Sequence, residues 1–416
     1  MAQPPKPLDY PISKIVMEHM RANKRYLLAA CCPALRNLHT QVPLKIDHLI
    51  LDTNGFTVDH VAHTLHTFVS NLNHIPRAWR VIIPPQGLPY DIDRFGHRHE
   101  DDAVDGDIVI QLWLVNYQKW LGARQVPRVA LDEPEPVFPD VRVMEIGRHK
   151  FAREMEKVDR ARRRCRVKTF LQYNTHATPV RLPQGVQLAE AVRNLTRNFF
   201  AANKVLVNVL EIPFSFGVLR LPRNLRFHVA SLKTGLCAGE VFNAISPILI
   251  ADPLRKLAIT ASQEEDPIFE YEILHTVAEL TLRFDTEGPW TDTLIGIQVA
   301  TVEVVGYEVT LQELVIVGKH WINHPRPAGH KMSFELDDVG TLLDRVREHL
   351  RAQRGTFLIG SLPPEYPHCG FVQANLETDF VIHVQKVDQA DGDPRWLLIF
   401  EMMHVGFAQA FGVGEV

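Results

Sequence analysis

The sequence predicts an α/β protein with three parts. A small N-terminal helical unit leads into a mostly parallel, leucine-rich-repeat-like strand/helix array, which a C-terminal helix and β-hairpin close. Three observations predict this: helical apolar spacing at the start, aliphatic strand patterns with long connections in the middle, and one helix with two alternating strands at the end.

The opening stretch, Leu8–Asp52, contains two short helical patterns and a strand. Pro33 ends or kinks the second helix, and Ile46–Leu51 is an alternating aliphatic strand. Two small helices that lead into a strand form a docking surface more readily than an active site. The helical apolar positions are Ile12, Ile15, Val16 and Met20, then Tyr26, Leu27, Ala30 and Cys31.

The middle of the chain repeats one strand pattern. Leu254–Ile259, Val277–Leu282 and Val299–Val304 share it, and Leu225–Phe227 is a plausible fourth member. The aligned positions 225, 257, 280 and 302 give steps of 32, 23 and 22 residues. Connections of this length predict parallel strands with crossovers, in a repeat array or equally in an ordinary mixed sheet.

The C-terminal part predicts a strand, a helix and a hairpin. Lys331–Leu336 is the strand, and the helix follows through His349. Asp379–Val384 and Arg395–Met402 alternate as paired strands around an Asp391-Gly392 turn, which we expect to cover the last sheet edge. The predicted buried face of the helix is Val339, Leu342, Leu343, Val346 and Leu350.

Composition limits the class of protein. The chain has 416 residues, of which 46% are hydrophobic and 23% charged, with a formal net charge of -4. These values are ordinary for a globular protein and argue against a generally basic nucleic-acid binder. Five scattered cysteines indicate reduced thiols, and no signal peptide or run of about 18 apolar residues is present. We therefore expect an intracellular protein, cytoplasmic or nuclear, with no membrane partner.

No enzymatic site is predicted, and no cofactor. His60, His63 and His66 have a spacing that on a helix could ligate a metal, but the preceding alternation favours a strand. The dense basic run Arg160–Lys168 could bind a phosphate backbone. It lies in a polar helix, Arg148–Cys165, with balancing acids and no interleaved aromatic residues, so a solvated helix face is the preferred interpretation and nucleic acid is not an expected partner.

Several blocks carry a family resemblance. The opening segment YPISKIVMEHMRANKRYLLAACCPAL with VPLKIDHLILD resembles the start of the nematode-expanded F-box C proteins, which share an F-box-associated domain of unknown function. The resemblance continues, in the expected order, at Asp105–Ile110, Arg197–Ile212, Val218–Leu232, Glu313–Asp338 and the closing RWLLIFEMM.

The residue patterns and the resemblance together predict an organisation in five segments. Residues 1–45 form a degenerate F-box-like helical unit, 46–140 a first α/β segment that ends in the Pro-rich linker Leu131–Asp140, and 141–175 a bridging helix. Residues 176–405 form the F-box-associated α/β domain, and 406–416 a tail.

The resemblance also implies a function in protein recognition. The N-terminal unit would dock a Skp1-type adaptor of a cullin ubiquitin ligase, and the larger domain would select an unknown target. The alternative is an interaction protein with no ligase role, in which the N-terminal unit only packs on the first strand. The predicted partner-binding residues are Ile15, Val16, Tyr26, Leu27, Leu28 and Trp321.

Trp321 has two interpretations. The resemblance places it in a helix over Val309–Asn323, where an exposed Trp would anchor a partner. The simpler interpretation is that it packs against the sheet, because aromatic side chains contribute so much to protein cores.

Overall fold

A computed structural model describes residues 10–69, 88, 91, 103–110, 169–174, 180–182, 186–202, 204–213, 217–250, 254–261, 266–285, 288, 290–307, 309–336, 339–354, 358–360, 369–375, 377–387 and 395–405. The predicted linker, the bridging helix with its basic run, and the turn at Asp391-Gly392 lie outside these residues. The chain forms two compact units, of residues 1–206 with 216–226 and of residues 207–215 with 227–416.

The first unit begins with three helices: α1 (Tyr10–His19), α2 (Ala22–Cys31) and α3 (Pro33–Gln41). The sequence predicted two helices that Pro33 would end, so the third helix is a correction. Cys32 is extended, with φ -122° and ψ 101°, and Pro33 occupies the first turn of α3. Proline is favoured there because its missing N–H would have no partner within the helix.

Antiparallel strands complete the first unit. β1 (Leu44–Asp52), β2 (Gly55–Val58) and β3 (Val61–Val69) form a meander, which β5 (Thr169–Asn174) and β6 (Val180–Arg181) extend. A separate pair joins β4 (Ile108–Ile110) to β8 (Gly217–Leu219). The first unit also contains the helix α4 (Leu188–Phe199), whose buried positions include Leu188, Val192, Leu195 and Phe199.

The second unit contains the predicted parallel strands. Its β7 (Val205–Ile212) neighbours β9 (Phe227–Thr234), and β10 (Lys256–Ala261), β11 (Glu279–Phe284), β12 (Thr301–Val305) and β13 (Lys331–Leu336) follow with parallel pairing from β9 onward. The crossovers contain α5 (Ala238–Ile245), α6 (Ile273–Thr276), α7 (Thr291–Gly296) and α8 (Leu311–Asn323). This confirms the predicted α/β class.

The register corrects one member of the repeat. Leu232, not Leu225, aligns with Leu257, Leu280 and Val302, because β9 starts only at Phe227. The first step therefore shortens from 32 to 25 residues, measured from Leu232 to Leu257. All four aligned side chains are buried.

The C-terminal part follows the prediction and extends it. α9 (Val339–Arg354) is longer than predicted, and its Leu343, Val346 and Leu350 are buried. β16 (Thr378–Val387) and β17 (Arg395–His404) form the predicted hairpin, and β17 pairs antiparallel with β13. β14 (Leu358–Gly360) and β15 (Cys369–Gln373) continue the sheet beyond β16, so the expectation that the hairpin covers the last sheet edge is wrong.

The core of the second unit lies between its helices and one face of the sheet. Phe284 stacks on Trp290 with 4.1 Å between ring centroids, and Phe400 contacts Phe334 and Phe380. Within the described residues, no helix is long and apolar enough to cross a membrane.

Candidate protein-docking site

Exposed aliphatic side chains lie on one face of α1 and on α2. Ile15 and Leu27 are each 58% exposed. Aliphatic side chains placed together in water mark interaction sites, because single scattered ones are common but clusters are not. We call the following residues the α1–α2 surface: Ile12, Ile15, Val16, Leu27 and Leu28.

α1 carries two apolar stripes, and only one of them faces the protein. Met17 is buried with Leu38 and Val42, and Met20 packs against this cluster. Ile12, Ile15 and Val16 lie at positions i, i+3 and i+4, which places them together on another face of the helix. Met17, together with Met20 just after the helix, therefore packs α1 against the protein, while its branched aliphatic side chains face outward.

The inner face of α2 is fixed by a buried arginine. Arg25 is 1% exposed, and its Nε donates to Nδ1 of His39 at 2.9 Å. Its Nη1 and Nη2 donate to the carbonyls of Pro43 and His39, each at 2.6 Å, and Nη2 also donates to the carbonyl of Val42. Carbonyls at a helix C-terminus have no partner within the helix, so Arg25 satisfies the end of α3. Burial lowers the pKa of Arg25 to about 10, against the attraction of Glu18.

His39 connects this network to α4. Because Nδ1 accepts from Arg25, the proton must be on Nε2, which donates to the carbonyl of Phe199 at 3.2 Å. Burial and the charge of Arg25 lower the pKa of His39, opposed by the backbone of Phe199 and Asn198. His39 is therefore held neutral, in one tautomer.

A second anchor joins α2 to the strands. His63 Nε2 lies 2.7 Å from Oδ1 of Asn23, whose Nδ2 donates to the carbonyl of Val58 at 2.8 Å. Tyr26 packs on Phe199 with 4.8 Å between centroids. Tyr26, predicted to bind a partner, therefore turns toward the protein and is only half exposed.

The three histidines do not form a metal site. His63 and His66 lie on strand β3 rather than on a helix, and His60 is in the preceding turn with φ 70°. His63 is buried against Phe56 and Phe199, while His66 contacts Asn54. Among the residues that the structure describes, no group of three His, Cys, Asp or Glu is placed to hold a metal ion.

Trp321 is buried in the second unit. It is 1% exposed, lies edge-on to Phe380 at 6.3 Å and has the guanidinium of Arg326 4.5 Å from its ring. The exposed-anchor expectation for Trp321 is not met, because it fills the space between α8 and the sheet. Trp321 therefore packs against the sheet, as the simpler interpretation predicted.

The three helices α1–α3 carry more exposed cations than carboxylates. Glu18 is the sole carboxylate of α1–α3, and it pairs with Lys45 at 3.7 Å. Lys24 lies three and four residues before Leu27 and Leu28, hence on their side of α2. The exposed cations on or between these helices are Lys14, Arg21, Lys24 and Arg36.

A buried ion-pair cluster joins blocks that carry the family resemblance. Asp107, fully buried, is bound by Arg193 through contacts of 2.7 and 3.0 Å and by Arg220 at 2.8 Å. Its burial acts to raise the pKa of the carboxyl, but the bonds from Arg193, the Val104 amide and Arg220 outweigh it and lower that pKa. This cluster was not predicted from the sequence, although the acidic Asp105-Gly106-Asp107 turn before β4 marks the position of its carboxylate.

We expect the free energy of unfolding to fall as the pH drops below about 6.5, the ordinary pKa of histidine. The folded-state pKa of His39 is lowered, so the unfolded chain binds the proton first and acid favours unfolding. Urea unfolding between about pH 7.5 and pH 5 measures the slope. His39→Asn, which keeps an acceptor near Nδ1 but does not titrate, should flatten the slope more than the exposed-site control His19→Asn. Equal slopes in both variants would contradict the assignment of this pH dependence to His39.

Comparison with known proteins adds one finding. No curated protein and no solved structure matches the chain. Residues 187–338, from the start of α4 to just beyond β13, match the family described as "Domain of unknown function (DUF3557)".

Proposed function

We propose that this chain is a protein-recognition protein whose α1–α2 surface docks a partner. The observation that carries the proposal is the exposure of five aliphatic side chains on two helices whose opposite faces are fixed in place. Burying such side chains in a partner is worth about 25 cal/mol per Å² of apolar area.

The presentation of the surface supports this role. Arg25 and Asn23 tie the inner face of α2 to the end of α3 and to β2, so Leu27 and Leu28 project from a positioned helix. A surface that is already ordered loses less conformational entropy when it binds, which favours affinity.

The partner we propose is a Skp1-type adaptor of a cullin ubiquitin ligase, with a further protein as the target. The support is the resemblance of the opening segment to F-box C proteins. The exposed cations beside the α1–α2 surface, Lys14 and Lys24 among them, favour a partner with acidic groups around its aliphatic contacts. The proposal places the chain in the cytoplasm or the nucleus and gives it no catalytic role.

One observation favours a second candidate, an interaction protein with no ligase role. The inner face of α2 contacts Phe199 and the strands of the first unit, so the three helices are a layer of this unit as much as a docking element. In that case the surface still binds a protein, but not the adaptor.

The test is adaptor binding by Ile15→Ala/Leu27→Ala. Both side chains are exposed, so the variant should fold normally and its affinity for a purified Skp1-type adaptor should fall about 10- to 100-fold, as central aliphatic contacts are lost. Calorimetry measures the affinity, and thermal unfolding checks the fold.

Ile316→Ala is the matched control. Ile316 is 47% exposed on α8, outside the α1–α2 surface, and its truncation should leave adaptor affinity unchanged. Failure of the folded wild-type chain to bind the adaptor would leave the second candidate. An equal loss in both variants would contradict the α1–α2 surface.

A further inference from the structure

The parallel strands of the second unit leave one face accessible. Inward positions such as Leu257, Leu282 and Val304 are at most 2% exposed, whereas the alternating outward positions are half-buried or exposed, apart from the buried Ser333. Parallel sheets are usually covered on both faces, and repeat arrays that leave one face open use it for binding. The outward face of β9–β13 comprises Ser231, Lys233, Lys256, Ala258, Thr260, Glu279, Thr281, Arg283, Thr301, Glu303, Val305, Lys331, Ser333 and Glu335.

The carboxylates of this face are already paired. Glu279 forms an ion pair with Lys256 across β10 and β11. Arg395 of β17 reaches Glu303 at 2.5 Å and Glu335 at 3.7 Å, and Glu335 also accepts from the Gly306 amide at 3.3 Å. Each acid of the face therefore has a cationic partner within the unit, although Glu303 and Glu335 share Arg395.

The cations are in excess. Lys233, Arg283 and Lys331 form no ion pair with any carboxylate in the part of the chain that the structure describes. Lys233 and Arg283 are exposed. The register places Lys233 opposite Ala258 and Arg283 opposite Thr260, so small side chains lie between the two cations. The whole chain has a net charge of -4, so this local excess runs against its overall charge.

We propose that the outward face of β9–β13 binds an acidic, extended protein segment, which is the target side of the recognition function proposed above. This inference rests on that function and names the class of target. The carboxylates of the segment pair with the exposed Lys233 and Arg283, while its backbone lies over the threonines. The five strands lie about 4.8 Å apart, so an extended segment of roughly six residues spans the face from β9 to β13.

The surface favours a peptide over a nucleic acid. Proteins that bind single strands stack bases on aromatic side chains, and the outward positions of β10–β13 contain none. The test therefore uses a fluorescein-labelled Glu/Asp-rich peptide of about eight residues, with an oligonucleotide as competitor.

We expect the full-length chain to bind the acidic peptide with an affinity that falls as salt is raised. Lys233→Glu/Arg283→Glu should weaken binding by at least about tenfold, measured by fluorescence anisotropy. The control Arg345→Glu, at an exposed position on α9, should leave binding within about twofold.

Three outcomes would overturn the inference: no binding at low salt, an equal effect of all charge reversals, or complete displacement by the oligonucleotide. Adaptor binding is measured in parallel, because it depends on Ile15 and Leu27 of the other unit. If the double charge reversal keeps adaptor binding and Ile15→Ala/Leu27→Ala keeps peptide binding, failure of one proposal is distinguishable from failure of the other.

Discussion

Asp107→Asn is expected to lower the free energy of unfolding by about 3–5 kcal/mol, the range for removing one partner of a buried ion pair. Arg193 holds Asp107 through two bonds and Arg220 through a third, and the carboxylate is fully buried. The Asn variant keeps the shape but leaves two largely buried guanidinium groups without a countercharge.

The Asp105-Gly106-Asp107 turn also contains the matched control. Asp105, two residues earlier, pairs with Arg223, but both side chains are about 70% exposed. Solvent screens such a pair, so Asp105→Asn should change the stability by no more than about 0.5 kcal/mol. Urea unfolding measures both variants, and a change in midpoint at constant slope indicates a change in stability alone.

The pH dependence gives an independent check on Asp107. Its folded-state pKa is lowered, so its contribution is complete above the unfolded value of about 3.9 and is lost as the pH falls through the folded value. Asp107→Asn should therefore lose less stability than wild type on acidification. Similar effects of Asp105→Asn and Asp107→Asn at neutral pH would show that burial does not distinguish the pairs.

The strands of the second unit were predictable because their signal is local. Val277–Leu282 and Val299–Val304 have apolar side chains at the positions that a strand buries, and long connections require crossovers. The register of β9 was not predictable, because FHVASLKT departs from the repeat and only its pairing with β10 shows that Leu232 is the aligned residue.

The docking residues show a similar limit. Helical spacing grouped Ile12, Ile15 and Val16, but spacing alone does not tell which apolar stripe of α1 faces the protein. The structure turns Met17 inward and leaves Ile15 exposed. Tyr26 and Trp321 are turned inward by partners distant in sequence, Phe199 and Phe380, which no local pattern specifies.

Buried polar networks are the part of the fold that is hardest to predict from the sequence. Arg25 is one of several basic residues in α1–α3, and nothing in its neighbourhood marks it as buried. Its role depends on the carbonyls at the end of α3 and on His39, which become neighbours only after the helices pack. The strongest test of the three-helix segment therefore lies at a residue that the sequence did not single out.

Arg25→Met is expected to lower the free energy of unfolding by about 3 kcal/mol. Methionine fills much of the volume, and removing the buried charge recovers part of its desolvation penalty. Against this, the carbonyls of His39, Val42 and Pro43 lose their donor, at about 1–3 kcal/mol for each acceptor left unsatisfied. The lost hydrogen bonds outweigh the recovered desolvation, because several acceptors depend on one side chain.

Arg36→Met is the control, because Arg36 is exposed on α3 and its replacement should change stability by less than about 0.5 kcal/mol. Arg25→Lys keeps the charge but not the planar fork of donors, so its loss of stability should fall between those of Arg36→Met and Arg25→Met.

Hydrogen exchange should locate the effect of Arg25→Met in α2 and α3, while α8 in the other unit keeps its protection. Because Leu27 and Leu28 project from the helix that Arg25 holds, adaptor affinity should fall with stability in this variant, although Arg25 itself is buried. An Arg25→Met chain as stable as wild type would show that the hydrogen bonds of Arg25 do not stabilise α1–α3.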